Sequence, residues 1–234
     1  MSNCAFASLR FDAIIALVKF LYPLLAVLLA VFVIAPLGYP GAFQSHSGLL
    51  AYYHLIDLDQ NPALGWAPTL GSTFDLFRTE GPLPYLAAEI FHLLGFDYLN
   101  AIKLVYALVW IAGGLTMFAL ARQWMSEPGA LLASIVYTYL PFHIATIYVR
   151  GAFAEAFAWA LFPLALLVVS RQSTVNSRQI FAFLFLTFAL LFLTQPGIAV
   201  LFALVTFAIT IALQPSRFRL SSSVLRLLGM IFGG

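Results

Sequence analysis

The chain has 234 residues, of which 63% are hydrophobic and only 9% charged, with a mean hydropathy of +0.99 and a formal net charge of +2. Soluble domains carry about 25% charged residues, so this composition excludes a soluble globular fold and points to a polytopic membrane protein. The lone cysteine, Cys4, excludes an internal disulfide or a cysteine-built metal cluster, and no Gly-rich phosphate loop, Ser-His-Asp spacing or nucleic-acid signature occurs.

About 20 apolar residues cross a bilayer, and six stretches qualify as spans: 15–37, 101–121, 129–148, 152–170, 179–194 and 197–213. Arg10 and Lys19, the latter within the first span, stand ahead of its apolar run in the manner of a signal peptide, yet no A-x-A-like site follows at Ala35-Pro36-Leu37-Gly38, so it reads as an uncleaved transmembrane helix. The region 38–100 is a long loop holding Asp57, Asp59, Asp75, Glu80, Glu89 and Asp97. Two of its segments are expected to be short interfacial helices. One covers 46–58 after an N-cap at Ser45; the other covers 83–94 and stops at Gly95. The last two spans share one apolar stretch broken by Gln195-Pro196-Gly197, which predicts a tight helical hairpin. Val224–Gly234 opens a further apolar run too short to cross, which suggests that the chain is cut short.

Charge placement orients these spans. With the N-terminus in the cytoplasm, Arg10, Arg122, Arg171, Arg178, Arg217, Arg219 and Arg226 lie inside, while Arg78, Lys103 and Arg150 lie outside. That bias follows the positive-inside rule for the cell inner (plasma) membrane. The expected architecture is all-α: one helical transmembrane domain over 1–234, with 38–100 as a structured external loop.

Three groups of residues could carry chemistry. A helix from His46 to Asp57 sets His46, Leu50, Tyr53, His54 and Asp57 on one face, suited either to acid–base or metal chemistry or simply to facing water. Arg150 and Glu155 open the fourth span; at about 140° apart on a helix they would not face each other, so Glu155 would need a partner from elsewhere. Arg150 is placed to meet an anion such as a lipid phosphate, because a guanidinium matches phosphate in a fork. Asp75, Arg78 and Glu80 crowd one turn of the loop, near Trp66 and Phe74, either as a sugar-binding group or as solvated charges beside an aromatic belt. His92 and His143 are isolated polar positions.

The ordered segments His46-Ser47-Gly48-Leu49-Leu50, Gly65-Trp66-Ala67-Pro68-Thr69-Leu70-Gly71, Gly81-Pro82-Leu83-Pro84-Tyr85 and Tyr148-Val149-Arg150-Gly151-Ala152-Phe153-Ala154-Glu155 resemble those of bacterial 6-pyruvoyl-tetrahydropterin-synthase-related multi-pass membrane proteins. The resemblance covers residues 12–213. Proteins of this kind are similar to GT-C-type glycosyltransferases, so it implies a GT-C-like helical bundle and a polyprenyl-phosphate-linked sugar as partner. The candidate catalytic acids are Asp57, Asp75 and Glu155, with Asp59 an alternative, and the candidate substrate contacts are His46, His54, Arg78, Glu80 and Arg150, with a divalent metal as an allowed cofactor. Two positions depart from the family pattern: Ser47 replaces the aspartate of a His-Asp-Gly motif, and Gln195-Pro196 replaces a later His-Asn. A serine cannot serve as a carboxylate base, so the resemblance leaves open a degenerate copy, and the composition leaves open a non-catalytic transporter or assembly subunit.

Overall fold

The computed structural model describes residues 20–42, 45–60, 80–171 and 177–213, and every regular element among them is helical. In chain order these are α1 (Phe20–Gly38, closing in a 3-10 turn), α2 (Gly48–Gln60), α3 (Leu83–Leu93), α4 (Tyr98–Ala121) and α5 (Glu127–Thr138). They continue with α6 (Pro141–Ala145), a π-helical turn (Thr146–Arg150), α7 (Phe153–Ser170), α8 (Ser177–Thr194) and α9 (Pro196–Leu213). Among the described residues, four helical segments are long and apolar enough to cross a membrane: Phe20–Gly38, Tyr98–Ala121, Glu127–Arg150 and Phe153–Ser170. Arg178–Thr194 and Pro196–Ile209 are shorter apolar helices. The chain is thus an all-α polytopic membrane protein.

The 179–213 stretch divides where its sequence predicts, at Gln195, with Pro196 opening the next helix. Leu191 before the break and Ala199 and Phe202 after it join Ala158 and Ala165 in one apolar cluster, so α8 and α9 both lie against α7. Phe202 meets Trp159 edge-on and Phe162 at a tilt, with centroids 5.0 and 4.1 Å away, which ties α9 to α7.

The third span corrects the expectation of one continuous helix over 129–148. Pro141 has no N–H and interrupts it, leaving the carbonyls of Tyr137 and Thr138 without their usual helical donors. Side chains replace those donors: His143 Nδ1 meets Tyr137 O at 2.8 Å, and Trp110 Nε1 donates to Thr138 O at 3.2 Å. Because a carbonyl only accepts, His143 carries its proton on Nδ1. The same device recurs in α7, where Pro163 frees the Trp159 carbonyl and the Tyr137 hydroxyl donates to it at 2.6 Å.

Small residues let the helices approach closely. A Cβ on Gly113 would lie 3.4 Å from Ala160 Cα, and one on Gly114 would lie 2.9 Å from Thr138 Oγ1. α4 therefore packs against α5 and α7 through a glycine pair, as membrane helices do when lipid supplies no hydrophobic drive between them. The hydroxyls of Tyr139 and Tyr148 donate to Leu29 O and Val33 O at 2.9 and 2.7 Å and fasten α1 to the third span. The largest core gathers Leu37, Leu55, Tyr85, Val105, Ile147 and Phe153. It lies where α1 and the third span end, where α4 and α7 begin, and where α2 and α3 cover the bundle.

Candidate functional site

Residues about a hundred positions apart meet at that end of the bundle. The amides of His46 and Ser47 donate to the carbonyls of Val149 and Arg150 at 3.0 and 2.7 Å. Gly151 makes the approach possible. Its φ is +65°, a left-handed conformation that costs other residues strain, and a Cβ there would lie 2.5 Å from both Gly48 N and Ser45 Oγ. The first loop is therefore sewn to the mouth of α7 by main-chain atoms.

This seam corrects two expectations. α2 starts at Gly48, and the Ser45 hydroxyl is buried against Gly151 without a hydrogen bond, so it is not the N-cap. His46 lies outside the helix, exposed, with Nδ1 3.2 Å from Ser47 Oγ. The expected single face of His46, Tyr53, His54 and Asp57 is thereby divided: His46 and Tyr53 are exposed, while His54 and Asp57 are buried at 0% and 1% exposure. The polar side of α2 faces protein rather than water.

What it faces is a hydrogen-bonded chain. His54 Nδ1 lies 3.2 Å from the Tyr85 hydroxyl, and Tyr85 donates to Glu80 Oε2. Since Tyr85 gives its only proton to Glu80, its oxygen must accept from His54, which fixes the Nδ1–H tautomer and leaves Nε2 as the basic nitrogen. Burial lowers the His54 pKa to about 4, although the charge of Asp57, one turn further along α2, opposes that shift. Burial likewise raises the Glu80 pKa, partly offset by the Tyr85 hydrogen bond, and burial followed by the charge of Glu80 pushes Tyr85 well above the ordinary phenol value. The rings of Tyr85 and Tyr106 pack edge-on against Phe153 with centroids 5.4 and 5.0 Å away, so the mouth of α7 is also the wall of this cluster. Tyr85 is the residue that sequence reasoning missed; the only signal was its place in Gly81-Pro82-Leu83-Pro84-Tyr85.

Arg150 and Glu155 are each other's partners, contrary to the helical-wheel expectation. Arg150 Nη1 and Nη2 meet Glu155 Oε1 and Oε2 at 2.7 and 2.6 Å, a two-pronged ion pair. The wheel fails because the intervening chain is not one helix: a π turn ends at Arg150, Gly151 is left-handed and α7 begins only at Phe153. Arg150 is 48% exposed and Glu155 only 11%. Trp159 Nε1 adds a longer donor to Glu155 Oε1 at 3.4 Å.

Asp75 and Arg78, with Trp66 and Phe74, lie outside the described residues. Among the described residues no group of three or more His, Cys, Asp or Glu side chains is arranged to hold a metal ion. What the end of the bundle does offer is a half-exposed guanidinium, a carboxylate holding it, and beside them an imidazole–phenol–carboxylate chain able to accept or pass a proton.

No curated protein and no solved structure matches the chain. The family model described as "6-pyruvoyl-tetrahydropterin synthase related domain; membrane protein" matches residues 77–234, more than half of it, including Glu80, Tyr85, Arg150 and Glu155. The chain belongs to this family of membrane proteins.

Proposed function

We propose that the chain is a GT-C-like glycosyltransferase that moves a sugar from a polyprenyl phosphate to an acceptor hydroxyl at the external face of the plasma membrane. The observation that carries the reading is the seam, which holds Arg150 and the His54–Tyr85–Glu80 chain at one end of the bundle. Transfer forms a bond between the acceptor oxygen and the anomeric carbon and breaks the bond from that carbon to the phosphate oxygen. The lipid phosphate leaves with the electron pair, and the acceptor proton must be taken up by a base. Arg150, half-exposed, has more N–H groups than its fork with Glu155 uses, which suits a phosphate oxygen. Glu80, with Asp57 or Asp75, is the candidate proton acceptor.

A second reading, a non-catalytic transporter or assembly subunit, is favoured by the completeness of the Arg150–Glu155 pair, which needs no ligand to be neutral. Sugar transfer from a polyprenyl-phosphate donor in liposomes decides between them. On the first reading Arg150→Ala lowers transfer about 10²-fold, the scale of losing one preorganised donor to a developing anion. Arg150→Lys does not restore it, because an ammonium lacks the fork. Ser47→Asp raises turnover, since a positioned acid–base group contributes roughly 10²–10⁴-fold. No transfer by either the parent or Ser47→Asp would leave the second reading.

A further inference from the structure

Behind the seam lies a cavity of about 20 Å³, bounded by Ser45, Gly48, Lys103, Tyr106, Ile147 and Gly151 among others. Ser45 and Tyr106 both line it, and each carries a hydroxyl. Tyr106 is 4% exposed, and neither its hydroxyl nor that of Ser45 has a hydrogen-bond partner among the described residues. A buried hydroxyl without a partner forfeits the desolvation cost of its polar group, so two such residues lining one space require a shared explanation. A single water needs roughly 10–15 Å³ and two to four polar partners, which this space and these hydroxyls supply.

We propose that this cavity is a binding site for one ordered water, hydrogen-bonded to both Ser45 Oγ and Tyr106 OH, which hydrates the join between the first loop and the mouth of α7. The alternatives fit less well. Lys103, whose ammonium is held by Tyr39 O and Gly41 O at 2.6 and 2.7 Å, is one of the lining residues, and its positive charge disfavours a metal cation. The volume is too small for a phosphate or carboxylate. The site is independent of the proposed transfer activity, since it rests on orphaned hydroxyls and volume alone.

The test is a double-substitution cycle on the full chain in detergent, reading the thermal midpoint of Ser45→Ala, Tyr106→Phe and the pair. If one water bridges the two hydroxyls, each single substitution lowers the midpoint, and the double lowers it by less than the sum because both remove the same bridge. If the space is dry, each substitution relieves an orphaned hydroxyl and raises the midpoint, which overturns the proposal. Independent, additive losses overturn it equally. Repeating the cycle with gluconate in place of chloride leaves it unchanged if the ligand is water; a midpoint that follows chloride would assign the site to a halide instead.

Discussion

His54 carries a pH signature because its protonation differs between folded and unfolded chains. Its pKa is about 4 in the fold against 6.5 ordinarily. Between those values the unfolded chain binds a proton that the folded chain refuses, so stability is full above about pH 6.5 and is lost as pH falls toward 4. Glu80 acts with the opposite sign. Its raised pKa means that the folded chain holds a proton more readily, so its contribution is present below the ordinary value of 4.5 and is lost as pH rises through the shifted one. Thermal midpoints measured from pH 4 to 7 should therefore show a flatter acid limb in His54→Asn than in the parent. Glu80→Gln should steepen the rise of the midpoint with pH, because the opposing group is gone. Parallel profiles in the parent and His54→Asn would show that burial does not govern this imidazole.

At the scale of elements, the glycines of two turns make contrasting claims. The Gly81 amide donates to Thr194 O at 2.8 Å, and a Cβ on Gly81 would collide with the Leu193 carbonyl, so the entry to α3 is pressed onto the end of α8. Gly197, in the first turn of α9, has open space where a Cβ would go. Gly81→Ala should lower stability by about 1–3 kcal/mol, the usual cost of overpacking. Gly197→Ala should be neutral or stabilising by up to about 1 kcal/mol through helix propensity. Chemical denaturation in mixed micelles orders the two; equal effects would mean that the α3–α8 contact does not form. Hydropathy made most spans legible because each needs only length and apolar content. Less legible was every point where one segment answers another. Pro141 was visible in 129–148, as was His143 beside it, but the Trp110 side chain that also makes its break tolerable comes from α4. The Arg150–Glu155 fork was hidden because a wheel presumes unbroken α-helix. Whether the polar side of α2 meets water or does chemistry stays open in the sequence, because nothing in that segment shows that Tyr85 lies against His54.

For the whole molecule, the ends of the helices set an axis. The chain ends of α1 and the third span meet the beginnings of α4 and α7 under α2 and α3, while Tyr22 packs near Phe118, Ala121 and Ala130 at the far end. Arg171 lies one helix beyond Phe153; 18 residues at 1.5 Å each is about 27 Å, close to the thickness of the hydrocarbon core. Reporter fusions after Asp59 and after Asn176 should therefore report opposite sides of the membrane, with Asp59 external on the charge bias. Both reporters on one side would refute the arrangement.

The seam between the first loop and the third span has one more consequence. Its two bonds join amides to carbonyls, so neither depends on what side chain His46, Ser47, Val149 or Arg150 carries. Replacing those four residues with alanine one at a time would leave both bonds in place, so whatever such a scan reports, as at Arg150, it reports on side chains and not on the junction itself. Only a change to the main chain can interrogate it: proline at 46 or 47, which deletes the donor, or an ester in place of the amide. The two bonds themselves are thus indifferent to lettering and strict in geometry.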